Sequence, residues 1–401
     1  MKTHRRHFLQ GLAAGTAVAG PLWAQPATKP TYRGPNVILI RFGGGARRRE
    51  SIDPQHSYAR HLTQELAPRG TLFGNMIVDL VEFKARSGEK LDSKLNVDTS
   101  HAQGTLYLLL GKYEKFRDRD GKFLSENFEL KVPTLFEYFR SAFDVPPEQT
   151  LIINNENRPQ EEYFTFSNHI HFGVDYKAET LSLFRFKLHL YSQQLKDPKL
   201  PEAERRRVAK LMRDLEKSLN QEQKNADRQG PAIRDFWNGW RAYYGDGGFV
   251  NERGDQLLTD LSLRAMQHLR PRLMMINYTD CDYVHWGVRS HYTDAIRIMD
   301  RGIRQLVQFV DHDEFYRGNT VFCIVPDCGR DNNPLADVPF QHHFNSRSSR
   351  EIFALLFGPG VPKGTRVDKP VHQIQVAATI GQLMGFKTPH TEGPVLEAAL
   401  A

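Results

Sequence analysis

The stretch Leu273-Met274-Met275-Ile276-Asn277-Tyr278-Thr279-Asp280-Cys281-Asp282-Tyr283-Val284-His285-Trp286-Gly287 opens apolar and then turns abruptly polar at Asp280, Cys281, Asp282 and His285. The apolar part is too short and too continuous for a surface helix. Asn277 and Gly287 bracket the polar part, so the stretch reads as a buried strand that delivers polar side chains to its end. In an open α/β sheet, ligands bind in the crevice beyond the carboxyl ends of the strands. Two later stretches share this design: Thr320 to Asp331 runs apolar into Asp327 and Cys328, and Phe340-Gln341-His342-His343-Phe344 precedes the apolar run Ile352 to Phe357. Asp, His and Cys are the side chains that hold zinc, and Asp and His also suit manganese or iron.

Outward from these stretches, strands alternate with helices. Asn36 to Ile40 reads as a first buried strand, Thr71 to Leu80 as a second and Thr150 to Asn154 as a third. Helices are expected around Tyr58 to Leu66, from His101 to Gly111 with Thr99 or Ser100 as cap, and over Val132 to Arg140. Further helices fit Gln256 to Leu269, Tyr292 to Val310 and Gln373 to Met384. This alternation implies an α/β fold with a mostly parallel sheet sandwiched between helices. Over 156–255 charged and aromatic residues increase, and Leu200 to Asp227 has the composition of a solvated helix. That region is expected to be a largely helical inserted cap, on a core made of 36–155 and 256–401. Its His169 and His171 alternate as on a strand and read as structural or surface groups.

Residues 1–24 pair Arg5 and Arg6 with a Gly- and Ala-rich middle and end in Pro21-Leu22-Trp23-Ala24, which reads as a twin-arginine export signal followed by a linker over 25–35. The expected location is the periplasm or exterior of a bacterium, with the twin-arginine machinery as a partner. Removing Lys2, Arg5 and Arg6 takes the formal charge from +7 to +4, too little to argue for nucleic acid. No later run reaches the roughly 20 apolar residues of a spanning helix. The three cysteines, Cys281, Cys323 and Cys328, cannot all pair within one chain, so this is no disulfide scaffold.

Gly43, Gly44 and Gly45 directly after the first strand allow backbone to approach a ligand closely, although their spacing is not a dinucleotide fingerprint. Arg41 and Arg47 are candidates to hold an anionic group, and Arg47 to Arg49 also fit a solvated charge run. A helix amino terminus at Thr99, Ser100 and His101 is a prepared anion site if it faces the metals.

In this order the motifs resemble the alkaline phosphatase superfamily, in particular its sulfatase-like and phosphodiesterase-like branches. The likeness runs through Asn36 to Ile40, Leu108 to Tyr113, Val132 to Phe136, Asp282 to Gly287, Tyr292 to Asp300, Thr320 to Asp331, His342-His343 and Gly358 to Val361. The resemblance implies cleavage of phosphate or sulfate esters at two metal sites, with a nucleophile at the start of a helix. It assigns Asp282, His285 and His342 or His343 to one site. At the second it departs from the family pattern: Gly43 stands where the first strand should end in Asp, Asp327-Cys328 stands for Asp-His, and His101 occupies the nucleophile position. Cys328 and His101 remain able to hold zinc. Asp280 and Cys281 are expected to be supporting residues, because adjacent side chains on a pleated strand point to opposite faces.

Two functions are consistent with these residues. One is a hydrolase of small anionic esters using a divalent metal, zinc first with manganese or calcium as alternatives, in which water, Thr99 or Ser100 serves as nucleophile and Arg41 or Arg47 stabilises the transition state. The other is a ligand- or partner-binding protein that keeps the fold without catalysis.

Overall fold

The computed structural model describes residues 29–88, 97–114, 129–154, 159–219, 229–248, 254–285, 288–331, 340–342 and 346–401. The export signal expected over 1–24 lies outside the described residues, as do Trp286, Gly287 and His343.

The sheet is built from β1 (Asn36–Arg41), β2 (Gly70–Ile77), β3 (Thr150–Asn154), β4 (Glu179–Leu181), β5 (Leu273–Asn277), β6 (Thr320–Val325), β7 (Glu351–Phe357), β8 (Thr365–Val367) and β9 (Val371–His372). Their order is β4-β3-β5-β1-β6-β7-β2-β8, with β9 also pairing with β2. Strand β7 runs antiparallel to both β6 and β2, and the remaining pairs are parallel. The sheet is thus mostly parallel, as the alternation of strands and helices implies.

Helices cover both faces: α1 (Leu80–Arg86), α2 (His101–Leu110), α3 (Leu135–Ala142), α4 (Leu183–Lys196), α5 (Glu202–Glu216), α6 (Pro231–Tyr244), α7 (Asp255–Leu269), α8 (Arg289–His312) and α9 (Gln375–Met384). All of β1 is buried, which is why it is apolar from Val37 to Ile40 rather than alternating. Val37 and Leu39 pack with α2, α3 and α9, whereas Ile38 and Ile40 pack with α4, α6, α7 and α8. Each such aliphatic side chain contributes about 1.5–3 kcal/mol relative to leaving it exposed.

Local signals set the helix ends. Ser100 caps α2 by accepting from the Gln103 amide, and Gly111 closes it in the left-handed region at φ 62°. Helix α3 starts at Leu135, later than periodicity suggests, because Thr134 and Glu137 form a capping box. The segment between β3 and α7 adds edge strand β4 and packs α4 and α6 on the α7 and α8 face. His169 and His171 lie there in a turn and not on a strand, so their alternation is a coincidence of spacing.

Strand β1 is flanked by β5 and β6, with Arg41 in register with Asn277 on one side and Val325 on the other. The three strands therefore end level, and their succeeding loops enter one crevice. Two glycines let the backbones close in. A Cβ at Gly43 would lie 2.3 Å from the Tyr278 carbonyl oxygen, and one at Gly104 of α2 would lie 2.1 Å from that of Asp327.

Gly104→Ala should lower stability by about 1–3 kcal/mol or more, since backbone stands in the way. Gly239→Ala on α6, where nothing lies within 4 Å, should raise it by up to about 1 kcal/mol. Thermal denaturation of the two variants checks the opposite signs. His372 is buried against Phe83 and Tyr113 with neither ring nitrogen hydrogen-bonded. Burial, reinforced by the Arg86 charge against a weaker pull from Asp79, lowers its pKa to about 4. Its contribution is complete above the ordinary value near 6.5 and is lost as pH falls toward the lowered one. His372→Phe should therefore lose about 2 kcal/mol less stability than the parent between pH 7 and pH 5, read from urea midpoints at both.

Candidate metal centre

Beyond β5 the chain turns through Asp280–Val284, and this turn brings Asp282 and His285 to one point. Its start is held by Asp255 at the head of α7, whose carboxylate accepts from the amides of Thr279 and Asp280, both at 2.9 Å. Asp280 returns the contact by accepting from the Asp255 amide at 3.1 Å. Asp280 thus pairs with the head of α7 and acts in support, as expected, although the reason is the tight turn over Asp280–Val284 and not strand alternation, which would put it on the face of Asp282.

Three imidazoles surround Asp282. The Nε2 atoms of His101 and His285 lie 2.7 and 2.6 Å from Asp282 Oδ1. His342 Nε2 lies 3.6 Å from the same oxygen and 3.2 Å from His285 Nε2. The far nitrogen of each ring is already committed: His101 Nδ1 to Asp327 Oδ2 at 2.8 Å, His285 Nδ1 to Gln341 Oε1 at 2.7 Å, and His342 Nδ1 to the Thr99 carbonyl at 2.6 Å. Carbonyl and carboxylate oxygens only accept, so each Nδ1 carries a hydrogen; a ring that is neutral then presents a lone pair at Nε2, whereas a protonated ring donates from Nε2 to Asp282. Three imidazole nitrogens and one carboxylate oxygen thus converge on one point, where they repel unless a proton or a metal cation lies between them. His101, Asp282, His285 and His342 could together hold a metal ion, with each ring oriented by a second hydrogen bond.

The charges agree. Burial disfavours the Asp282 carboxylate, but the His101 charge and hydrogen bonds from the three rings outweigh it and hold the carboxyl far below its usual range. Burial likewise disfavours a His101 cation, and the carboxylates of Asp282 and Asp327 reverse this and raise its pKa well above the ordinary value. A metal bound here must displace a proton from that ring. Side-chain exposures of 18 % for His101, 25 % for Asp282 and 19 % for His285, against 1 % for His342, leave one side of the centre open.

The residues expected at a second site arrange differently. Asp327 is fully buried and accepts from His101, from the Cys328 amide at 2.8 Å and from the Gly45 amide at 3.3 Å. Cys328 Sγ is 3.9 Å from His101 Nδ1, and burial and the Asp327 charge push its thiol up to about 11, so it is not a ready thiolate. His101, Asp327 and Cys328 lie close enough together to share an ion. Gly43, by contrast, has no room for the carboxylate that the resemblance places at the end of β1.

Thr99 donates its hydroxyl to the His342 carbonyl, and the Ser100 hydroxyl oxygen accepts from the Gln103 amide as the cap of α2. Arg41 is buried behind Asp327, its Nε 3.9 Å from Oδ2, while Nη1 donates to Thr105 at 2.8 Å. Arg47 is paired with Glu50 at 2.8 Å. The structure therefore gathers His101, Asp282, His285 and His342 at one centre, with Asp327 and Cys328 beside it. Sequence reading missed Gln341, although it adjoins the histidine pair, and Arg330, which nothing in the sequence singles out. The buried Arg330 guanidinium donates to the carbonyls of Gly45 and Cys281, both at 2.9 Å, and also to those of Gly44 and Phe340. It thereby ties the glycine run to the Asp282 turn.

No family model and no curated protein matches the sequence. Solved structures do match the fold. A protein of the alkaline phosphatase superfamily from Vibrio parahaemolyticus aligns over 93 % of this chain and 72 % of its own at 11 % identity and a TM-score of 0.50. The lipoteichoic acid synthase LtaP from Listeria monocytogenes aligns over 92 % and 76 % at 9 % identity and 0.50. The alkaline phosphatase PafA aligns over 92 % and 99 % at 9 % identity and 0.50. These matches show that the chain has the fold of the alkaline phosphatase superfamily, carried by a sequence far diverged from these proteins.

Proposed function

We propose that the chain is a hydrolase of phosphate or sulfate esters that works with a single divalent metal, held by His101, Asp282, His285 and His342. The observation that carries this reading is the convergence of three imidazole Nε2 atoms on Asp282 Oδ1, each ring locked by an acceptor at Nδ1. Imidazole-rich sites suit zinc and disfavour calcium, which takes six to eight oxygens. A bound divalent metal would supply Lewis-acid polarisation of an ester oxygen and acidify a coordinated water. Asp327 holds the His101 Nδ1 proton and so fixes which nitrogen faces the centre. With the Thr99 hydroxyl donated to the His342 carbonyl, water is the nucleophile we favour, with Ser100, whose oxygen accepts from the Gln103 amide, as the alternative. Export by the twin-arginine route belongs to the same proposal. Among the described residues no helix is long and apolar enough to cross a membrane.

A second reading, a metal-binding protein without turnover, is favoured by one observation: four protein ligands close a tetrahedral zinc site, whereas catalytic sites usually keep one position open.

Elemental analysis of the purified protein should find about one zinc per chain, lost in His285→Ala and in His101→Ala and kept in Cys328→Ser. A second metal lost with Cys328 would mean two sites. Zinc affinity should fall as pH drops from 8 to 6, because the imidazoles must be unprotonated to bind, and titration calorimetry in two buffers should detect the released protons. Zinc-dependent turnover of an aryl phosphate or aryl sulfate, lowered at least about 100-fold in His285→Ala, supports the hydrolase. Full zinc with no turnover of either ester leaves the binding protein.

A further inference from the structure

Two grooves, of about 820 and 930 Å³, adjoin at Gln55 and are lined with arginine. The first holds Arg47, Arg48, Arg49 and Arg366, and the second Arg60, Arg289, Arg297 and Arg301. Part of this charge is answered locally. Arg47 pairs with Glu50, Arg48 with Glu351, Arg366 with Asp368 and Arg297 with Asp294. The acids are also occupied: Asp53 faces His56 at 3.2 Å, and Asp300 accepts from the amides of His61 and Leu62, both at 2.9 Å.

Arg49, Arg60, Arg289 and Arg301 are what remains. All four are exposed, and among the described residues none of their guanidinium groups has an ion pair or hydrogen bond. Repulsion among such groups disfavours leaving them side by side without anions, and each guanidinium fork matches the oxygens of a sulfate or phosphate. Because they are spread over both grooves, a single small ester cannot meet them all. Arg289 follows His285 closely in sequence at the start of α8. Arg47 also reaches the Asp331 carbonyl at 3.4 Å, and the Asp331 amide donates at 2.6 Å to the carbonyl of Gln341, the residue that orients His285. The grooves therefore flank the metal centre while sharing none of its ligands.

We propose that these adjoining grooves dock a linear polyanion bearing repeated sulfate or phosphate groups, gripped by Arg49, Arg60, Arg289 and Arg301. Docking is electrostatic and independent of the metal, so it should survive chelation and weaken steeply with salt as counterions are released along the polymer. It goes beyond the hydrolase reading and stands if that reading fails.

The test measures binding of two labelled polymers, heparin for repeated sulfates and long-chain polyphosphate for repeated phosphates, to the full chain by fluorescence anisotropy between 50 and 300 mM salt, with and without EDTA. The triple variant Arg60→Ala/Arg289→Ala/Arg301→Ala is compared with Lys199→Ala/Lys210→Ala/Arg213→Ala, which removes equal charge elsewhere on the surface. The expected result is binding of at least one polymer, unchanged by EDTA and weakened roughly tenfold or more in the groove variant but less than about twofold in the control. Tighter binding of heparin identifies sulfate as the group gripped, and tighter binding of polyphosphate identifies phosphate. Equal weakening in both variants, binding lost with EDTA, or no binding of either polymer at 50 mM salt would overturn the proposal. Circular dichroism of both triple variants confirms that the comparison is between folded proteins.

Discussion

Three imidazoles can point unprotonated nitrogens at one carboxylate only if something else decides where their hydrogens sit. Asp327, Gln341 and the Thr99 carbonyl make that decision, one for each ring. Each acceptor comes from a different part of the chain, so the electronic state of the centre depends on β6, on the segment before β7 and on the loop before α2 meeting correctly. Losing any of these acceptors would free that ring to change tautomer, and a hydrogen at Nε2 repels a cation.

The fold meets this demand by bringing backbones unusually close. Gly104 lets α2 lie directly on the Asp327 carbonyl, which places His101 between two carboxylates, and Gly43 lets the end of β1 lie on the Tyr278 carbonyl. Arg330 then uses a buried guanidinium to satisfy carbonyls of Gly44, Gly45, Cys281 and Phe340, groups that would otherwise be stranded by such close packing. The same compaction changes the second ion position of the resembled family. There is no room for a side chain at residue 43, burial raises the Cys328 thiol, and His101 at the helix start faces Asp282 as well as Asp327. The position that resemblance assigns to a nucleophile holds an imidazole, His101, between two carboxylates.

Much of this was legible in sequence because it rests on local rules. Uninterrupted apolar runs marked β1, β5 and β6 as buried parallel strands, and the polar residues after each run marked the crevice where Asp282, His285 and Asp327 stand. The cap signal of Ser100 and the closing Gly111 fixed α2, and with it the location of His101. The alternation of His169 and His171 misled, since a two-residue period in a turn means nothing without pairing partners.

The sequence by itself determined the class of fold, the strand ends that carry chemistry and the residue types available there, because burial and periodicity act along the chain. Only the tertiary structure decided which of those residues face one another. Whether His101 serves as nucleophile, base or ligand depends on Asp282 and Asp327, which lie far away in sequence. Whether Arg41 and Arg47 face a substrate or a neighbouring carboxylate depends on packing against Asp327 and Glu50. The physical reason is that hydrogen-bond direction and charge compensation fall off within a few ångströms, so they are set by which distant segments the fold presses together and not by their spacing along the chain.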